Sequence, residues 1–155
     1  MKSLGRACLL FLFVVVCTLM MVSQSQAKVS SHKINAKGVG QFNSGDGTAV
    51  TKIIGGGLLH GTSEGTSEVV GGAFPVFSVA GFSTITTNKG TLTFDFEGVV
   101  DLSTGEYLFS GPVRGGTGKL EGAIGTITLE GVQDETGMFV EDMTGTIYVD
   151  LSPKR

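Results

Sequence analysis

The sequence predicts an all-β protein: a single antiparallel β-barrel of about eight strands, following an N-terminal signal peptide. Three observations carry this expectation. Apolar residues recur at every second position in short runs, glycines interrupt those runs every few residues, and no stretch repeats with a helical period.

The first element is the signal. Lys2 and Arg6 form a positive start, and Ala7 to Val22 is apolar except for Thr18. Small residues, Ser25 and Ala27, occupy the −3 and −1 positions of a cut after Ala27, completing the three-part pattern of a cleaved secretory signal. The apolar stretch of 16 residues is shorter than the roughly 20 that a membrane-crossing helix needs. Residues 1–27 are therefore read as a signal peptide and 28–155 as the domain, secreted or periplasmic and with no stable membrane anchor.

Along the domain, residues 31–42 alternate weakly through Ile34, Ala36, Gly38, Gly40 and Phe42. Residues 48–66 and 73–87 read as two further long strands, the second carrying Phe74, Phe77, Phe82 and Ile85. Gly55-Gly-Gly57 and Gly71-Gly72 sit where bends or bulges are wanted. From Gly90 the alternation is clearest, with Leu92, Phe94 and Phe96 on one face and Thr91, Thr93, Asp95 and Glu97 on the other. Asp101-Leu-Ser-Thr-Gly105 supplies a turn, and Tyr107 and Phe109 lie on the returning strand.

The same design recurs downstream. Gly90-Thr-Leu-Thr is echoed by Gly125-Thr-Ile-Thr, Glu97-Gly-Val by Glu130-Gly-Val, and Ser103-Thr-Gly by Glu135-Thr-Gly. A repeated hairpin makes the C-terminal half a meander of about four strands. Seven or eight long strands with little else must hide their edges, and closure into a barrel does so; long, glycine-bent strands favour it over a sandwich.

Composition narrows the function. Cys8 and Cys17 are the two cysteines, and both leave with the signal, so the mature domain has neither disulfide nor thiol chemistry. All 14 acidic residues and nine of the 11 basic ones follow Ala27, giving the domain a formal charge of about −5 and no basic block. Nucleic acid and anionic membrane surfaces are thereby disfavoured as partners.

One segment goes beyond periodicity. Val113-Arg-Gly-Gly-Thr-Gly-Lys-Leu-Glu-Gly-Ala-Ile-Gly125 resembles the glycine-rich signature of plant allene oxide cyclases and dirigent proteins, with Gly115, Gly116, Thr117, Gly118, Ala123 and Gly125 matching and Leu120 in the aromatic position. The resemblance covers about 13 residues strongly and about the last 65 loosely. It implies an eight-stranded antiparallel barrel able to hold an apolar small molecule, in families that often form trimers. The matched residues read as a turn and the entry to a strand, so fold transfers and activity does not.

Few residues offer chemistry. Gly118-Lys119 is followed by Leu120 rather than Ser or Thr, which removes a phosphate-cradling loop. His32 and His60 are isolated in sequence, so no metal site and no cofactor are expected. Asp95 and Glu97 share a strand face and read as a solvated outer surface. Glu141 shares parity with Phe139, Met143, Ile147 and Val149 and so points where they point. An inward carboxyl there has a raised pKa unless a cation such as Arg114 pairs with it. The favoured expectation is instead that the strand begins near Glu141 with its side chain at the barrel mouth, or that a bulge turns it out. Phe94, Phe96, Tyr107 and Phe109, with Glu141, are the candidate lining of a pocket. The expected function is that of a non-catalytic exported barrel, binding a small apolar molecule or serving as an interaction module. A protein that steers a reactive intermediate by confinement, as cyclase-like or dirigent-like proteins do, is the alternative.

Overall fold

The computed structural model describes residues 29–55 and 57–152; the expected signal segment, 1–27, lies outside the described residues. Eight strands follow in order: β1 (Ser30–Asn43), β2 (Thr48–Gly55), β3 (Gly61–Ala73), β4 (Val76–Thr87), β5 (Gly90–Asp101), β6 (Glu106–Gly116), β7 (Ile124–Gln133) and β8 (Met138–Val149). Each pairs antiparallel with the next, and β1 returns to β8 from Ser30↔Val149 to Gln41↔Met138, closing the barrel. The fold class expected from the sequence is the one formed, and closure leaves no edge unpaired.

The N-terminal half corrects the sequence reading. The segment 48–66 is not one strand. β2 ends at Gly55, a 3-10 turn at Gly57–Leu59 follows, and β3 starts at Gly61 and runs to Ala73. Ser, Thr and Gly dominate β3, so it lacks the apolar alternation by which strands are recognised. Phe74 lies in the β3–β4 turn, and Phe82 faces outward, half exposed. Gly71-Gly72 does mark a bulge, where register shifts between Val69 and Gly71.

Period-2 alternation sorts the side chains inward and outward. At one end the interior is filled: Ile34, Ile53, Ile85, Leu92, Ile127 and Ile147 pack together, and each contributes roughly 1.5–3 kcal/mol by leaving water. Two 3-10 turns close this end. Gly57–Leu59 brings Leu58 and Leu59 into the core, and Gly118–Leu120 brings Leu120. The second turn is the glycine-rich segment singled out in the sequence. Gly116 ends β6, Ala123 is buried, and Gly125 lies one residue into β7. Thr117 ties the turn to the start of β5 by accepting the Thr91 N–H on its Oγ1 (3.1 Å) and donating its own N–H to Thr91 O (2.9 Å). Gly118 needs to be glycine: its φ is +62°, and a Cβ there would come within 2.7 Å of Lys89 O.

At the other end the hairpin loops surround an opening. Three of them use the same device. The carboxylates of Asp46, Asp101 and Asp134 each accept a hydrogen bond from the N–H and the hydroxyl of the Thr or Ser two residues on, at 2.6–3.0 Å.

Candidate functional site

The open half of the barrel encloses a cavity of about 620 Å³, within the range of small-molecule sites. Its two walls differ. β5, β6 and β8 supply aromatic rings in a connected series: Phe94–Phe96 with centroids 6.2 Å apart, Phe96–Phe109 stacked at 5.3 Å, Tyr107–Phe109 stacked at 4.9 Å, and Tyr107–Phe139 edge-on at 6.2 Å. Opposite them, β2, β3 and β4 supply Thr51, Ser63, Gly65 and Ser83, with the two serine hydroxyls hydrogen-bonded to each other.

Glycines make room for these rings. An eight-stranded barrel is just wide enough to be filled by its own side chains or to hold one small ligand. Phe96 lies opposite Gly81, Phe109 opposite Gly98 and Phe139 opposite Gly40, so each large side chain meets a partner without one.

The same logic builds the polar centre. Gly131 of β7 is the register partner of Tyr107 on β6 and of Glu141 on β8. Two side chains separated by a whole strand therefore meet across it, and Tyr107 Oη donates to Glu141 Oε2 at 3.0 Å. A Cβ on Gly131 would lie 2.5 Å from Tyr107 Oη, and one on Gly38 would lie 2.6 Å from Glu141 Oε1. Both glycines are conditions for the pair.

Glu141 is only 8 % exposed. β8 begins three residues earlier, at Met138, and keeps unbroken register with both neighbours. Neither a mouth position nor a bulge describes it, which corrects the favoured sequence expectation; the parity argument alone gives the right face. Arg114 does not reach it either. It lies outside the barrel and pairs with Asp95 through Nε and Nη2. Desolvation raises the Glu141 pKa from 4.5 to about 7, the Tyr107 hydrogen bond acts in the opposite direction, and among the described residues no cation pairs with the carboxyl. Burial first, and the Glu141 charge second, push the Tyr107 phenol well above its ordinary value.

All five pocket residues expected from the sequence, Phe94, Phe96, Tyr107, Phe109 and Glu141, line this one cavity. Sequence reasoning missed Phe139, although its parity with Glu141 signals it, and missed Thr51, Ser63 and Ser83, whose small polar side chains carry no signal. Asp95 and Glu97 lie away from the cavity lining. His32 bonds Ser30 Oγ at 2.8 Å, His60 is exposed, and among the described residues no three His, Cys, Asp or Glu side chains gather as metal ligands.

The mouth is acidic. Asp46 and Glu68 line it, and Asp101 and Asp134 stand in the neighbouring hairpins. Hydrogen bonds from Thr48, Ser103 and Thr136 hold the pKa values of the three aspartates below the ordinary value. Among the described residues, no Lys, Arg or His lines the cavity.

Comparison with protein-family models, with curated proteins and with solved structures gives no match.

Proposed function

We propose that this protein is an exported container that binds one small, largely apolar molecule in the open half of its barrel. The observation that carries the reading is the cavity of about 620 Å³ faced by Phe94, Phe96, Phe109, Tyr107 and Phe139. Burying those rings against a ligand gains roughly 25 cal/mol per Å² of apolar surface removed from water. The hydroxyl wall and the Glu141–Tyr107 pair give such a ligand a preferred orientation, as a few polar groups do in mostly apolar sites.

The reading is tested with N-phenylnaphthylamine, a neutral apolar dye that brightens on leaving water. One dye is expected to bind per chain, and Ala49→Phe, which places a ring on the cavity lining near the mouth, is expected to abolish binding. Absence of binding to the wild-type protein, or undiminished binding to Ala49→Phe, would overturn it.

A second reading has one observation in its favour. A carboxyl with a pKa of about 7 gives and takes a proton at neutral pH, which suits an acid–base group acting on a reactive molecule confined against the rings. That reading predicts turnover that falls when Glu141 becomes Gln, whereas a pure container shows none to lose.

A further inference from the structure

We propose that the cavity is selective for a hydrophobic amine, a molecule with a flat apolar body and one cationic end seated on Glu141. This rests on the container reading and adds the chemical class of its occupant.

Glu141 carries two oxygens, and Tyr107 uses one of them. Oε2 accepts the phenol, while Oε1 has no hydrogen-bond partner among the described residues. As a residue Glu141 is more than nine-tenths buried, and it lines the cavity. A carboxylate so placed lacks the second partner that would compensate its lost hydration, and among the described residues no Lys, Arg or His pairs with it. A ligand ammonium would. It would reach Oε1 with a charge-assisted hydrogen bond inside a cavity that the rings of Tyr107, Phe109 and Phe139 also line, and aromatic rings attract cations.

The remaining electrostatics point the same way. The charged groups of the lining, Asp46, Glu68 and Glu141, are all acidic. Asp101 and Asp134 stand at the same end, where the connecting loops 44–47, 74–75, 102–105 and 134–137 contain no Lys or Arg. Lys89 and Lys119 lie at the closed end. A cation approaching the mouth is drawn in, and a fatty acid or other anion is repelled both there and at Glu141.

Within the cavity Glu141 faces Tyr107 from β6, Gly38 from β1, Gly131 from β7 and Thr51 from β2, of which Tyr107 is titratable; Glu141 and Tyr107 also line a second pocket, whose charged groups are Lys37, Asp101, Glu106, Glu130 and Asp142. Lys37 and Asp142, on the neighbouring positions of β1 and β8, pair with each other on the exposed outer face. Amine affinity is therefore expected to rise as pH increases through the titration of Glu141, with no matching rise for a neutral ligand.

The test uses three probes with one apolar body: naphthylethylamine, naphthylethanol and naphthylpropionate, titrated calorimetrically into the wild-type protein near pH 8 and into Glu141→Gln. The amine is expected to bind roughly tenfold or more tightly than the alcohol, the scale on which an adjacent opposite charge acts, and the carboxylate most weakly. In Glu141→Gln the amine's advantage disappears while the alcohol still binds. Equal affinities for all three, or an amine advantage that survives in Glu141→Gln, would overturn the selectivity and leave the container standing. Failure of all three to bind would remove the container reading and the selectivity with it. Should Glu141→Gln not fold, the wild-type ranking and its pH dependence decide the question alone.

Discussion

Replacing Glu141 by Gln isolates the energetic consequence of burying a carboxyl without a cation. In the folded protein its pKa stands at about 7, raised from 4.5, so the folded state holds its proton more tightly than the unfolded state does. The stability this contributes is fully present below about pH 4.5 and is lost as pH rises through about 7. A displacement of that size corresponds to roughly 3 kcal/mol between the two limits, since each unit is worth about 1.4 kcal/mol. Gln keeps the shape, has no proton to lose and removes this dependence. Urea unfolding followed by far-ultraviolet circular dichroism, at several pH values from 5 to 8, measures the difference. The wild-type protein is expected to lose up to about 3 kcal/mol relative to Glu141→Gln across that range, or roughly 10 °C in Tm. The rim aspartates have lowered pKa values, so their contribution has the opposite sign and is lost only as pH falls through the acid range. Other titrating groups are shared by the two proteins and cancel in the comparison. Parallel stability profiles for wild type and Glu141→Gln between pH 5 and 8 would refute the reasoning.

Three further outcomes follow from the same geometry. Tyr107→Phe removes the donor to Glu141 Oε2 and is expected to raise the Glu141 pKa further, which carbon-detected NMR titration of the carboxyl measures; it costs about 1–3 kcal/mol when the carboxylate is charged. Gly131→Ala places a methyl 2.5 Å from Tyr107 Oη and 2.6 Å from Val140 O, so it is expected to cost about 1–3 kcal/mol in urea unfolding. It should also separate the pair, moving the Glu141 titration in the same direction as Tyr107→Phe. Leu120→Ala, at the filled end, is expected to cost about 2–5 kcal/mol while leaving the ranking of the three naphthyl probes unchanged.

How far these features are legible in the sequence depends on how each is encoded. β5 and β6 are readable because Leu92, Phe94 and Phe96, then Tyr107 and Phe109, alternate with polar residues on strands that need only one buried face. The echo of Glu97-Gly98-Val in Glu130-Gly131-Val marks positions whose purpose appears only once strands are paired: Gly98 lies opposite Phe109, and Gly131 opposite Tyr107 and Glu141. Periodicity specifies a face, but it does not specify a cross-strand neighbour. The break at Gly55 and the strand β3 escape for another reason. Ser63 and Gly65 face a cavity instead of a packed core, so the alternation that identifies a strand is absent where the interior is left open. Glu141 shows both sides of this. Its parity with Phe139 and Met143 gives its direction, whereas the reluctance to bury a carboxylate argues against that direction until Gly38 and Gly131 are seen to make room and Tyr107 to provide a donor.

The central claim is that a ligand occupies the interior of this barrel and contacts its aromatic wall. Intermolecular nuclear Overhauser effects from bound naphthylethylamine to isotope-labelled protein test it most directly. Contacts to the ring protons of Phe96, Tyr107 and Phe109 and to the Met143 methyl, with the ammonium end nearest Glu141, are the predicted result. Contacts confined to outward-facing side chains such as Val99, Leu108 and Val140, or none at saturating probe, would contradict it.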